Sequence, residues 1–489
     1  MASPDPAGST LLCVYNRAIM RALEISTDEF RRLSQTVTDL ASEYLTGLSS
    51  RQIFPNITGA QSEETFSSQI PENGMGNRAL DDLKKVVEFS RAQNGRFFGY
   101  VLGSGDPVAA TADLLAGVLN QNVTAWRSGP AAVTLERMLV SWLAEAIGCS
   151  GFQGSLTGGG SSANLMGLAM AREAKLPSNE TGIRGQPVVY ASEEIHMSIP
   201  KSIALLGIGR NHLRRIATDD GFHMRPSALE DAIRCDHAEG KTAIAIVASA
   251  GTVNTGAIDP LEEISAIARK HGIWLHVDGA YGALAAIAAP EKFRGLNLAD
   301  SLSLDPHKWL YQPLDCGCLL YRDPLPARTA FAHTGDYAKA LSVDPIEGFA
   351  FFEESMELSR RFRALRLWLS LRYHGLRAFR ASIQKDLELA GRLSAAVQAH
   401  PKFDLIGPSE LSAVCFRYKG SSTTSDVELD RQNAEILKHL QARGRIYLSN
   451  ATLRGMFYLR ACIVNHRTSE ADIDAVIPEV LAAAAELGF

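Results

Sequence analysis

Ser301-Leu302-Ser303-Leu304-Asp305-Pro306-His307-Lys308-Trp309 runs from a short strand into a lysine flanked by an imidazole and an indole. A lysine just past a buried strand is poorly placed for water, and lysines are rarely buried without a reason. Desolvation disfavours the ammonium and frees the amine to attack a carbonyl, the requirement for a Schiff base. Taken alone, the same residues also fit a lysine whose stem lies on a strand end while its ammonium reaches solvent. What surrounds the stretch decides between the two.

Residues 91–370 alternate short β-branched runs with helical stretches, the signature of a parallel sheet covered by helices. Strands are predicted at 187–190, 243–248, 273–277, 301–304 and 318–321. Residues 261–270, apolar at helical spacing and closed by Gly272, form the crossover between the second and third of these. Such sheets bind ligands at the carboxyl ends of their strands, and that is where the polar residues fall.

His276-Val277-Asp278-Gly279-Ala280-Tyr281 ends one strand. A carboxylate there can hold a pyridinium N–H, or it can cap a following helix. Thr157-Gly158-Gly159-Gly160-Ser161-Ser162-Ala163-Asn164 leads into an apolar-periodic run. Glycines followed by hydroxyls at a helix start form an anion site, although an ordinary serine cap uses the same residues. The spacing is neither a Walker A loop nor a dinucleotide fingerprint. Ala191-Ser192-Glu193-Glu194-Ile195-His196 follows another strand. Its histidine can stack on a ring or act as acid or base, or it can lie in a surface loop. Each signal is modest, but four at the strand ends or helix starts of one sheet point to one site.

The rest of the chain sets bounds. Its 489 residues exceed one compact core, so more than one domain is expected. Residues 1–90 read as helices that lack a private core and pack on a partner, with a helix start at Ser26-Thr27-Asp28-Glu29 and a loop over 61–77. Residues 91–370 form a large domain and 371–489 a small α+β domain. Strands are predicted there at 413–418 and 456–463, and a last helix starts near Ser469-Glu470. The net charge of −5 argues against a nucleic-acid partner. No apolar run reaches the length of a membrane span, and residues 11–15 are too short for a signal segment. The 7 cysteines are scattered, and Cys316 and Cys318 stand too close for a zinc knuckle. No metal and a cytoplasmic location are therefore expected.

In this order the residues resemble the group II pyridoxal-dependent decarboxylases, the family of the aromatic-L-amino-acid, histidine and glutamate decarboxylases, within the aspartate-aminotransferase fold type. The likeness runs from Arg96-Phe97-Phe98-Gly99-Tyr100 to Phe457-Tyr458-Leu459-Arg460 and is most specific around Lys308 and Asp278. Arg360-Arg361-Phe362-Arg363-Ala364-Leu365-Arg366-Leu367-Trp368 is close to the family's run after its mobile loop. The resemblance implies an α/β protein of pyridoxal-phosphate fold type I, with a mostly parallel seven-stranded sheet and a smaller α+β C-terminal domain.

It also implies pyridoxal 5′-phosphate as cofactor, with Lys308 as the Schiff-base lysine, Asp278 paired to the pyridine nitrogen, Ala280 against the ring and His196 on its other face. Gly160 and Ser161, helped by His307, would hold the phosphate. Thr252 would line the cofactor site and Arg460 would meet the substrate carboxylate. A homodimer with its sites at the subunit interface is implied, which agrees with the coreless first region. The implied reaction is decarboxylation of an amino acid to the amine and CO2. Phe97, Phe98, Tyr100 and Trp126 lie where the family lines its substrate pocket, which favours an aromatic substrate over glutamate or aspartate. Aromatic side chains are also ordinary core.

One place departs from the family pattern. In its aromatic branch a mobile-loop tyrosine is the expected proton donor to Cα, and counting back from Arg360 puts Phe351 there. A phenylalanine at that place is associated with aldehyde synthases, which decarboxylate and then deaminate oxidatively. Tyr337, in Gly335-Asp336-Tyr337, is the other donor within reach. Decarboxylation is the leading reading and aldehyde synthesis the alternative. An aminotransferase or carbon–carbon lyase of the same fold and a non-catalytic cofactor-binding protein are the remaining rivals.

Overall fold

The computed structural model describes residues 23–333, 344–407, 409–420 and 424–489. Two compact units divide the chain after Gln93.

The first unit carries helices Thr27–Gly47, Gly59–Phe66 and Asp82–Phe89. Ser26 caps the first, its hydroxyl accepting from the Glu29 N–H at 3.1 Å, with Asp28 and Glu29 in the first turn where the helix dipole favours them. None of that helix's residues is buried, whereas Leu48 and Ile53 just beyond it are. The stretch expected as loop begins inside the second helix. Thr58 accepts from the Gln61 N–H at 3.2 Å, while the Gln61 side chain takes the Thr58 N–H at 2.8 Å. This capping box starts a helix that polar composition alone conceals.

In the second unit, seven strands form one sheet: β1 (Gln153–Thr157), β2 (Pro187–Ser192), β3 (Leu213–Ile216), β4 (Thr242–Ser249), β5 (Trp274–Asp278), β6 (Ser301–Leu304) and β7 (Gly317–Tyr321). Their order is β1-β7-β6-β5-β4-β2-β3. The run from β6 to β3 is parallel, and β7 is antiparallel to both β6 and β1. All five strands expected from β-branched runs are present. Two others carried no such signal: β1 reads Gln-Gly-Ser-Leu-Thr, and half of β3 is arginine. The crossover helix Leu261–His271 ends at Gly272, whose φ of 65° places it in the left-handed region. Every residue of β5 is buried, as a central parallel strand covered on both faces requires.

A second sheet, wholly antiparallel, holds β8 (Phe403–Leu405), β9 (Ala413–Tyr418), β10 (Ser449–Leu453) and β11 (Met456–Cys462) in the order β10-β11-β9-β8. Helices Leu376–Ala399, Asp426–Arg443 and Val476–Glu486 close a separate core over it, with Leu393, Phe416, Leu440 and Val480 at its centre. The last helix begins after a short turn of helix, Glu470–Asp474, capped by Ser469.

The arginine run is architectural. Arg360 is buried against Glu136 of helix Pro130–Ala146 and donates to the carbonyls of Val123 and Leu156, both at 2.8 Å. Arg366, fully buried, pairs with Asp113 at 3.0 Å and donates to the Asp315 carbonyl at 2.6 Å. Buried charges persist only when paired and hydrogen-bonded in this way.

His223 ties the loop after β3 to the turn before β9, pairing with Glu410 through Nε2 and with Asp219 through Nδ1 at 3.0 Å. The Glu410 carboxylate, aided by Asp219, holds the imidazole protonated up to about 9. Its folded value thus lies above the ordinary 6.5, so the linked stability is complete below pH 6.5 and is lost as pH rises through 9. Discounted for the water that screens this partly exposed pair, the contribution is on the order of 1–2 kcal/mol. Thermal melts should show wild type losing that much more stability than His223→Gln between pH 6.5 and 9.5. Parallel curves would mean that the imidazole contributes nothing.

Candidate active site

The carboxyl ends of β1, β2, β4, β5 and β6 converge on a cavity of about 310 Å³. Its wall includes Gly160, Ser161, His196, Asp278, Ala280, His307 and Lys308, all singled out in the sequence.

Lys308 sits on the single helical turn Pro306–Trp309 that follows β6. Its Nζ lies 3.0 Å from Asp305 Oδ2, one turn back on the same face. Asp305 is buried, and its Oδ1 has no hydrogen-bond partner among the described residues. His307 Nδ1–H donates to the Cys316 carbonyl at 2.8 Å, which leaves Nε2 3.5 Å from Asp305. Burial holds this imidazole below its ordinary pKa.

Asp278 closes β5 and stands in the wall of the same cavity. Its Oδ1 accepts from the Ser303 hydroxyl at 3.1 Å and the Ala280 N–H at 3.2 Å, and its Oδ2 accepts from the Asn164 amide at 3.0 Å. Three donors converging on one side chain match a carboxylate, which can only accept. His196, after β2, has its pKa lowered chiefly by burial.

Between them lies the glycine run. A Cβ on Gly160 would stand 2.5 Å from the Ala280 methyl and 3.0 Å from Asp305 Oδ2, so only glycine lets the helix Gly160–Lys175 begin this close to the cavity. The first N–H groups of a helix have no intrahelical partner, and Gly160 and Ser161, which start this helix, stand in the cavity wall. An amine for an aldehyde, a carboxylate for a ring N–H, and a glycine-lined helix start that leaves backbone N–H donors for a phosphate fit a phosphorylated pyridine aldehyde.

Other expected residues are elsewhere. Phe98 is wholly buried in the core of the second sheet, not at the cavity. Tyr100 is half exposed, its hydroxyl 3.2 Å from that of Tyr447, and is not in the cavity wall. Trp126 packs on the large-sheet core and donates its backbone N–H to Phe349. The Thr252 hydroxyl turns into its own loop, 2.9 Å from that of Thr255, and the neighbours Gly251 and Val253 face the cavity instead.

Phe351 is also core. Its ring lies under the Arg360 guanidinium at 4.2 Å and meets Phe349 edge-on at 4.9 Å. An apolar ring covering a buried cation explains a phenylalanine there without any chemistry. Arg460, buried on β11, donates to Ser449 at 3.1 Å and to the carbonyl of the wall residue Val253. Tyr337 lies outside the described residues.

Reading the sequence missed Asp305 and Asn164 as site residues. Both had a signal: Asp305 stands three residues before the lysine on a turn, and Asn164 is one helical turn in from Gly160.

The sheet order, the strand-end lysine and the glycine-lined helix start define the class: a pyridoxal 5′-phosphate enzyme of fold type I. The chain belongs to the pyridoxal-dependent decarboxylase family, whose conserved domain matches residues 62–419. It is 33% identical to the aromatic-L-amino-acid decarboxylase of Bacillus atrophaeus, over 96% of this chain and 98% of that one. It is 30% identical to the 4-hydroxyphenylacetaldehyde synthase of Rhodiola rosea, over 93% of this chain and 94% of that one. Among solved structures it is similar to Oryza sativa TDC with PLP and tryptamine, with a TM-score of 0.89 at 25% identity, covering 96% of this chain and 99% of that one.

Proposed function

We propose that this protein removes CO2 from an aromatic L-amino acid and releases the amine, with pyridoxal 5′-phosphate bound at the strand-end cavity. The observation that carries the reading is the placement of Lys308 and Asp278 in the wall of one cavity beside a glycine-lined helix start. Lys308 would supply the amine that holds the cofactor aldehyde and yields it to the substrate amine. Asp278 would take the ring N–H, Gly160 and Ser161 would hold the phosphate beside His307, and His196 and Ala280 would contact the ring. Arg460 would meet the substrate carboxylate only once its bond to the Val253 carbonyl opens. The bound cofactor supplies an electron-accepting ring for the pair left when the Cα–carboxylate bond breaks. The aromatic preference is supported by the Bacillus relative and by the tryptamine in the rice structure.

Incubation with tyrosine, tryptophan, phenylalanine and glutamate, scored together for CO2, amine, aldehyde and peroxide, tests this. Amine with CO2 from an aromatic amino acid is the expected result. Aldehyde with peroxide would install the synthase reading that the Rhodiola relative supports. Keto acid without CO2 would point to transamination, and no product at all to a binding protein. Phe351→Tyr should leave the product pattern unchanged, because the ring is core. It should cost about 1–3 kcal/mol for a hydroxyl buried without a partner, read as a fall in melting temperature.

The proposal includes a homodimer, with residues 1–90 packed on the partner, 91–370 as the cofactor domain and 371–489 as the small domain. Helix Pro107–Leu119 supports a second copy, since it exposes Leu114, Leu115, Val118 and Leu119. A cytoplasmic location is proposed from the unpaired thiols among the described residues. No helix of the described residues is long and apolar enough to cross a membrane.

A further inference from the structure

We propose that Asn164 is a positioning residue whose amide fixes the direction of a buried hydrogen-bond chain, placing an N–H on Asp278 and leaving the proton of His196 on Nε2. Alternation along β5 puts Trp274, His276 and Asp278 on one face. On the facing helix, Asn164 and Gly167 share a side at a spacing of one turn. A Cβ at Gly167 would stand 2.6 Å from the His276 ring, so glycine there is what lets Asn164 come within reach of His276.

The polarity follows by elimination. The Asp278 carboxylate only accepts, so the contact at 3.0 Å must be the Asn164 amide nitrogen, and the amide oxygen then faces His276. That oxygen accepts from His276 Nε2–H at 2.9 Å, which makes Nδ1 an acceptor. The Ser301 hydroxyl therefore donates to Nδ1 at 2.8 Å and itself accepts the Trp274 indole N–H, a pure donor, at 2.9 Å.

The second amide hydrogen of Asn164 goes to the Ser198 hydroxyl at 2.9 Å. That hydroxyl donates to His196 Nδ1 at 2.9 Å, and the Ser198 backbone N–H, which can only donate, reaches the same nitrogen at 3.2 Å. Each link has one allowed direction. Burial holds His276 down to about 4 and keeps His196 below its usual value, so each ring carries a single proton near neutral pH. The outcome at the cavity is a neutral His196 presenting Nε2–H, beside an Asp278 already supplied with a donor on its inner side.

The inference rests on Asp278 and His196 being the pair that faces the cofactor, but its test reads the apoprotein and can fail while that reading stands. Long-range 1H–15N spectra of histidine-labelled apoprotein at pH 7, assigned through His196→Gln and His276→Gln, should show both rings in a single Nε2–H form. A proton on Nδ1 of His196, or a mixture of forms in wild type, would overturn the proposal. Asn164→Ala should release His276 into a mixture of tautomers, whereas Ser198→Ala, which keeps the backbone N–H on His196 Nδ1, should leave both rings in the Nε2–H form and shift only the His196 Nδ1 resonance as one of its two donors is lost. A His276 that keeps a single Nε2–H form in Asn164→Ala, or a His196 Nδ1 resonance unmoved in Ser198→Ala, would also overturn it, and the second variant removes only a hydroxyl should Asn164→Ala fold poorly. Titrating pyridoxal phosphate into the apoprotein gives a second readout. Asn164→Ala should bind at least about tenfold more weakly, and affinity within threefold of wild type would contradict the role.

Discussion

Lys308→Ala is expected to lower CO2 release by at least about 10⁴-fold, the scale on which removal of an attacking group is felt. The same change strands Asp305. That carboxylate is buried, its Oδ1 already has no partner among the described residues, and it would lose the ammonium at 3.0 Å. An uncompensated buried charge costs about 3–5 kcal/mol, so the alanine variant should also melt early. Lys308→Arg separates the two effects. The guanidinium keeps a positive charge beside Asp305 but cannot condense with an aldehyde at working pH, so this variant should be folded and equally inactive. Activity within tenfold of wild type in either variant would mean that another amine does the work.

Asp278→Asn should reduce turnover on the order of 10³-fold, comparable to losing a pre-organised electrostatic partner of a developing charge. The change is nearly isosteric, but it is not neutral for the neighbours. Ser303, Ala280 and Asn164 all donate to this side chain. An amide nitrogen in place of one oxygen would oppose donor to donor, and the side chain would turn to relieve the clash. The ring N–H of the cofactor would then lose an acceptor, and the chain beyond Asn164 would lose its terminus. Steady-state assays and a cofactor titration of the apoprotein should show both effects. A loss of less than tenfold would mean that the carboxylate is a strand-end cap and no more.

What could be read from the sequence divides along physical lines. Strands β2 and β4 announced themselves by near-continuous β-branched and aliphatic runs, as a doubly covered sheet needs, and β5, β6 and β7 by shorter apolar stretches. Strands β1 and β3 could not: the former begins Gln-Gly-Ser before its Leu and Thr, and the latter carries two arginines. They hold their places by pairing with β7 and β2. Lys308, Asp278, Gly160 and His196 were legible because each stands where an element ends, the point at which such a sheet must present its chemistry.

Thr252 was not legible, because facing alternates along the chain. Gly251 and Val253 reach the cavity and the residue between them points away. Phe98 and Phe351 show the ambiguity of aromatic rings, which serve a pocket and a core equally well until packing is known. Asn164 has the opposite character. It looks like one more polar residue in a helix's first turn, and its meaning appears only when His276, Ser198 and Asp278 are seen around it.

The covalent claim has a direct test. Borohydride reduction of the cofactor-loaded enzyme, followed by proteolysis and mass spectrometry, should place the pyridoxyl group on the peptide carrying Lys308. A pyridoxyl group on a different lysine, or a loaded enzyme that reduction leaves unlabelled, would contradict the account.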